Sequence, residues 1–259
     1  MTAFGIIIPA RFGSSRLPGK PLRDLAGRPM IQWVYENAQR AGAGFVWVAT
    51  DDERIAHAVQ GFGGEAILTS TDHATGGDRL AEVVRSRKVP DETIVVNVQG
   101  DEPLLDAKYV RLVADALGEN PAAGIATLAT PIATPAELFN PNVVKVVLDD
   151  AGSARYFSRA PLPWARDAFA AGQPEALPEN VPFLRHVGLY AYRAGALTAL
   201  SKLPQPPVER AESLEQLRAL HAGIRIHVSV VSEAPPHGVD TEEDLVRVAD
   251  LVSQTLISR

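Results

Sequence analysis

Phe4-Gly5-Ile6-Ile7-Ile8-Pro9-Ala10-Arg11-Phe12-Gly13 is an apolar run that stops at a proline and gives way to a basic, glycine-bearing loop. Phe4–Ile8 is short, rich in β-branched residues and bounded by loop residues, the pattern of a buried strand. Phe45–Thr50 and Thr93–Val98 repeat that pattern further along the chain. Between them the period changes: Met30–Ala41 places Met30, Ile31, Val34, Ala38 and Ala41 on one helical face, and Leu80, Val83 and Val84 do the same after Asp78. Alternating strands and helices predict parallel strands joined by crossover helices. In such an α/β layered fold, ligands bind outside the carboxyl ends of the strands.

Beyond Ile125 the rhythm is different. Strand-like runs at Ile125–Leu128, Val143–Leu148 and Leu189–Tyr192 are separated by proline-rich connections instead of regular helices, which suggests an appended lobe. Pro161–Pro182 carries five prolines, at 161, 163, 174, 178 and 182, and so excludes a continuous helix. An excursion or dimer arm is expected there. A helix around Leu214–Ala222, a strand Ile224–Val231, a Pro-Pro-His-Gly turn and a closing amphipathic helix from about Glu242 complete the reading.

Composition narrows the function classes. The 259 residues include 25 Lys+Arg, 31 Asp+Glu, six His and no Cys, with 46% hydrophobic and 22% charged residues. A chain of this length buries roughly 70–75% of its extended surface, so its core needs no disulfide or structural metal. It is too apolar for intrinsic disorder, and no uninterrupted apolar stretch reaches bilayer-spanning length. A net charge of −6 disfavours a nucleic-acid partner. The absence of Cys removes thiol nucleophiles, Cys-ligated zinc and iron–sulfur clusters. The apolar start has no basic region before it and does not read as a signal peptide, so a cytoplasmic location is expected.

The loop Pro9–Leu22 gathers Arg11, Arg16 and Lys20 with Gly13, Gly19, Ser14 and Ser15. Glycines admit close backbone approach, hydroxyls donate, and three cations can neutralise a polyphosphate. The pattern is neither a P-loop nor a dinucleotide fingerprint, and a solvated basic loop is the competing reading. Val95–Pro103 ends an apolar strand in Gln99-Gly100-Asp101-Glu102, which aims Asp101 into the ligand crevice as a possible Mg²⁺ carboxylate or leaves it in an ordinary acidic turn. Asp240 is a second candidate carboxylate, although Thr241 and Asp244 read as a capping box.

Asp72–Arg79 is a small-residue loop opening a helix, either a plain N-cap or a site for an acceptor-rich base or phosphate. No zinc-ligand spacing occurs among the histidines. His186, Gly188 and Tyr190 alternate on one strand face, where they could bind a sugar or serve the core. Glu215 and Gln216 fit a solvated helix face as well as a site.

Taken together, these segments closely resemble the 3-deoxy-manno-octulosonate cytidylyltransferases across nearly the whole chain. The carriers are P-A-R-F-G-S-S-R-L-P-G-K-P-L at Pro9–Leu22, the loop Asp72–Arg79 with Leu80-Ala81-Glu82-Val83, and V-N-V-Q-G-D-E-P at Val96–Pro103. Tyr156–Trp164, Arg185–Arg193, Leu214–Leu220 and Gly238–Asp244 add to them. The resemblance implies a Rossmann-like nucleotidyltransferase fold with a mixed central sheet and an appended sugar-binding and dimerisation lobe. It implies a single domain over 1–259, with about 1–120 the nucleotide-binding part and 121–259 the sugar-binding and dimerisation part.

The implied reaction joins CTP to the octulosonate with Mg²⁺, in a homodimer without nucleic-acid or membrane partners, for lipopolysaccharide synthesis in the cytoplasm. Arg11, Lys20, Asp101 and Asp240 would be catalytic, the last two as metal ligands. Ala10, Arg11, Ser15, Arg16, Lys20, Thr75, Arg79 and Gln99 would hold the nucleotide. Gln99, Arg159, His186, Tyr190, Glu215 and Gln216 would hold the sugar. The family loop commonly carries Thr where this chain has Gly77. Two other readings compete: a cytidylyltransferase for a sialic acid or an amino-octulosonate, and a noncatalytic binding module.

Overall fold

The computed structural model describes residues 2–13, 17–73 and 75–257. Its first half runs β1 (Phe4–Ala10), a 3-10 turn (Lys20–Leu22), β2 (Asp24–Leu25), β3 (Arg28–Pro29), α1 (Met30–Gln39), β4 (Val46–Thr50), α2 (Glu53–Gly61), β5 (Glu65–Leu68), α3 (Gly76–Ser86), β6 (Ile94–Asn97) and α4 (Ala107–Glu119). The second half runs β7 (Ile125–Pro131), α5 (Pro135–Phe139), β8 (Lys145–Leu148), β9 (Ala154–Ser158), β10 (Leu184–Arg193), α6 (Ala194–Leu200), α7 (Pro207–Glu212), α8 (Gln216–His221), β11 (Ile226–Val230) and α9 (Glu242–Ile257).

The three strands expected from the opening pattern pair side by side and in parallel, with Ile6 opposite Val46 on one side and Val96 on the other. They form the centre of a sheet ordered β11-β7-β10-β6-β1-β4-β5, from which the β8–β9 hairpin departs at β10. β10 runs antiparallel to both β6 and β7, while β11 is parallel to β7. In this path β10 alone is reversed, so the sheet is mixed. The carboxyl ends of β1, β4 and β6 therefore share one edge, and the loops that follow them meet there.

Strand alternation sends side chains to two helical layers. Ile6, Ile8, Val48 and Val96 pack with α1, α2 and α4, through residues such as Val34, Ile55 and Val113. Ile7, Ala49 and Val95 face the other way, onto Leu80 and Val83 of α3, Leu197 of α6 and Leu217 of α8. A third cluster joins Val239, Leu245, Val248 and Val252 to Leu17, Leu25, Met30 and Trp33, docking α9 beside the first loop.

The second half differs from expectation in two respects. The connections there are not helix-free: α5, α6 and α7 are short helices, two of them entered through a proline at the first position, where no amide donor is needed. The proline-rich stretch after β9 does form a helix-free excursion, and its Phe169 and Phe183 pack with Ile132 and Leu138 in a small core. β7, β10 and β11 complete the central sheet, leaving the β8–β9 hairpin and the excursion as the projecting parts.

The alternation expected at His186, Gly188 and Tyr190 is interrupted. In β10, Val187 pairs with Leu128 but Tyr190 pairs with Thr127, so a bulge absorbs two residues. A regular strand would separate residues 186 and 190 by about 13 Å; the bulge instead brings their ring centroids to 5.3 Å. Gly188 lies within the bulge and is exposed. The Thr127 hydroxyl donates to Leu189 O at 2.8 Å and lies 3.1 Å from His186 Nε2, which orients the imidazole. Burial lowers the His186 pKa to about 3, so the ring is neutral at ordinary pH.

A buried ion pair secures the turn between α7 and α8. Arg218 Nε and Nη2 donate to the two Glu209 carboxylate oxygens at 2.8 and 2.6 Å, with Glu209 3% and Arg218 9% exposed. Removing one partner strands a buried charge, whereas replacing both with apolar groups does not. Glu209→Ala is therefore expected to lower stability by about 3–5 kcal/mol in urea denaturation. The double variant Glu209→Leu/Arg218→Met should lose much less.

Candidate active site

Two cavities open at the carboxyl edge of the sheet. The first, about 340 Å³, is lined by Ala10, Arg11, Lys20, Thr75, Arg79, Gln99, Asp101 and Asp240, among others. The second, about 200 Å³, is lined by Asn97, Gln99, Tyr190, Glu215 and Gln216, with Gly76 and Gly77 at its wall. Gln99 and Gly76 border both.

Lys20 begins the 3-10 turn that follows Gly19, whose φ of 65° is costly for other residues and whose Cβ position lies 3.0 Å from the Phe12 ring. The turn delivers the Lys20 ammonium to Asp101 Oδ2 at 2.9 Å and Asp240 Oδ1 at 3.0 Å. Asp101 follows β6. Asp240 reaches the same point because Val239 is fully buried under α9 and its amide donates to Asp101 O at 2.8 Å. Burial opposes the Lys20 charge, but the hydrogen bonds and attraction of Asp101 and Asp240 outweigh it and raise its pKa. Glu102 behaves differently: burial, then the Asp101 charge, pushes its carboxyl up to about 8. At neutral pH it is mostly uncharged.

Thr241 and Asp244 form the capping interaction read from the sequence, with Thr241 N donating to Asp244 Oδ2 and Asp244 N to Thr241 Oγ1 at 3.1 and 3.2 Å. Capping and a site role for Asp240 thus coexist.

Thr75 likewise combines roles. Its hydroxyl oxygen accepts from Asp78 N as the N-cap of α3, and it lies 3.1 Å from Glu215 Oε1 across the boundary between the cavities. A Cβ at residue 77 would lie 2.7 Å from that same Glu215 oxygen. Gly77 is what leaves room for the Thr75–Glu215 contact. Burial raises the Glu215 pKa, against the opposing hydrogen bond from Thr75.

Glu215 and Gln216 are half-buried cavity residues and not a solvated helix face. Arg79 borders the first cavity with its guanidinium already committed. It donates to Asp51 at 2.6 Å and to Thr69, and it is 4% exposed. It shapes the loop before α3.

Arg159 and His186 line neither cavity. The Arg159 side chain donates to Glu212 O at 2.8 Å and Pro141 O at 3.0 Å, while its amide donates to Glu212 Oε2 at 2.9 Å. Ser15 and Arg16 lie outside the described residues. Sequence reasoning passed over Lys145, which is fully buried and donates to Asn140 O, Val143 O and Arg159 O at 3.0, 2.5 and 2.6 Å. It also passed over Asn97. Each is a polar residue at the end of an otherwise apolar strand, a signal present in the sequence.

Among the described residues there is no group of three or more His, Cys, Asp or Glu able to hold a metal. Mg²⁺ needs fewer protein ligands, since it takes one or two carboxylates and completes its shell with water and substrate phosphate. The two oxygen donors that meet at Lys20 fit that requirement.

The model of the family described as Cytidylyltransferase matches residues 5–226. A 3-deoxy-manno-octulosonate cytidylyltransferase of Hahella chejuensis is 55% identical over 255 residues, covering 98% of this chain and 100% of the relative. One from Pseudomonas fluorescens Pf-5 is 57% identical, covering 97% and 98%. A solved structure of CMP:2-keto-3-deoxy-manno-octonic acid synthetase complexed with CTP superposes with a TM-score of 0.87 at 47% identity, covering 98% of this chain and 100% of that one. No described helix is long and apolar enough to cross a membrane. Identity at this level over nearly the full length, on the same mixed sheet, shows that the chain belongs to the 3-deoxy-manno-octulosonate cytidylyltransferase family of nucleotidyltransferases.

Proposed function

We propose that the protein transfers the cytidylyl group of CTP to 3-deoxy-manno-octulosonate, forming the CMP-sugar and pyrophosphate. The observation that carries this reading is the meeting of Lys20, Asp101 and Asp240 in a cavity joined through Gln99 to a second, smaller one. A sugar hydroxyl oxygen attacks the α-phosphorus in line, its bond to phosphorus forms as the bond to the bridging oxygen of pyrophosphate breaks, and the hydroxyl proton passes to solvent. Such transfer needs positioning and charge neutralisation more than covalent catalysis.

Arg11 at the rim and Lys20 within the first cavity supply positive charge to the triphosphate. Asp101 and Asp240 would hold Mg²⁺, which when bound neutralises charge on the phosphates. Gln99, Tyr190, Glu215 and Gln216 surround the space for the sugar, and Arg159 and His186 support that side through the backbone and ring contacts described above.

The family resemblance supports the remaining assignments: a homodimer acting in the cytoplasm on a precursor of lipopolysaccharide. Exposed Tyr156 on β9 and Trp164 in the excursion offer apolar surface for a second copy.

With CTP and the octulosonate, Mg²⁺-dependent pyrophosphate release is expected, and UTP, a sialic acid or an amino-octulosonate should be poor replacements. Asp101→Asn should lower turnover by about a hundredfold or more, and chelation should abolish release until Mg²⁺ is restored. Release with another acidic sugar would move the substrate, and silence with every pair from protein that still binds CTP would leave only a binding module. In solution, light scattering should give twice the chain mass. The imidazole resonances of His186 should remain those of the neutral ring as pH falls through the ordinary histidine range, and should titrate only near its pKa of about 3.

A further inference from the structure

Asn97 lies on the floor of the second cavity, 5% exposed, where β6 runs between Ile7 of β1 and Tyr190 of β10. Alternation along β6 places Val96 in one helical layer and Val95 in the other, so Asn97 projects on the Val95 side, toward the cavity. Among the described residues, its Oδ1 is the buried side-chain polar atom that no hydrogen-bond partner meets. An unsatisfied buried acceptor destabilises a fold, and an apolar residue of similar size would avoid that cost. The remainder of β6 is apolar, Ile94-Val95-Val96, so the strand itself does not require an amide at this position. The side chain borders the second cavity, so a ligand there is the partner within reach of its amide.

The chemistry of the amide specifies the ligand group. A hydroxyl both donates and accepts, and so satisfies an acceptor oxygen or a neighbouring amide N–H of the same side chain. Position specifies which hydroxyl. Gln99 borders both cavities, whereas Asn97, two residues earlier, borders only the second. The group that Asn97 meets therefore lies in the second cavity, beyond the border that Gln99 forms with the first. We propose that Asn97 is a substrate-reading residue: its side-chain amide hydrogen-bonds a hydroxyl of the acidic sugar remote from the reacting oxygen and so helps to set which sugar the second cavity accepts. This rests on the cytidylyltransferase reading above.

Steady-state kinetics and thermal melting of the wild type, Asn97→Leu and Asn97→Ala test it. The KM for the octulosonate should rise about tenfold or more, while the KM for CTP stays within about twofold and kcat within about threefold, because the contact is remote from the reacting atoms. Asn97→Leu should melt no lower than the wild type, since it removes an unsatisfied acceptor without opening a void. A merely structural role would lower the melting temperature of both variants and raise both KM values together, and that result overturns the proposal. An unchanged octulosonate KM overturns it too. If Asn97→Leu does not fold, the Asn97→Ala comparison of the two KM values decides in the same way. Variants that match an active wild type overturn the Asn97 assignment alone, whereas a wild type silent with every acidic sugar overturns the activity and the assignment together.

Discussion

The Lys20 ammonium held between Asp101 and Asp240 joins three segments that are far apart in the chain. Like carboxylates repel each other at close range, and the cation between them offsets that repulsion where the end of β6 meets the segment entering α9. The backbone bond from Val239 to Asp101 and the apolar cluster beneath α9 hold the pair of carboxylates in register with the first loop. These contacts form one wall of the first cavity.

The sheet explains why the second cavity adjoins the first. Parallel β1, β4 and β6 bring their following loops to one edge, and the reversed β10 places Tyr190 directly beside Asn97. Gln99 then forms the shared border. The Thr75–Glu215 contact, made possible by Gly77, ties the loop before α3 to the segment before α8. The walls of the two cavities are therefore linked by a direct side-chain contact.

Supporting contacts do much of the positioning. Arg79 is buried against Asp51 and Thr69, and Arg218 against Glu209; Lys145 sits among three carbonyls, including that of Arg159. Their charges are satisfied internally, so they shape loops and do not offer free cations.

The strands Phe4–Ile8, Phe45–Thr50 and Thr93–Val98, the flanking helices and the cluster of Ala10, Arg11, Lys20, Thr75, Gln99, Asp101 and Asp240 at the strand ends were legible in the sequence. The strands and helices follow from local periodicity, and the rule that loops after parallel strands share an edge pointed to the loops that carry Arg11, Lys20 and Asp101; the site roles of Ala10, Thr75 and Gln99 came from the family resemblance. The sequence also carried the capping of α9, a matter of three residues' spacing. Tertiary structure alone decided the rest. The bulge in β10 that brings His186 to Tyr190 comes from pairing with β7, the burial of Glu215 from the packing of α8 on the sheet, and the commitment of Arg79 from Asp51 on a different loop. Each depends on what lies opposite in space, which residue order does not encode locally; Asn97 could be seen as a polar residue in an apolar strand, but only the folded sheet shows its carbonyl left without a donor at the floor of a cavity.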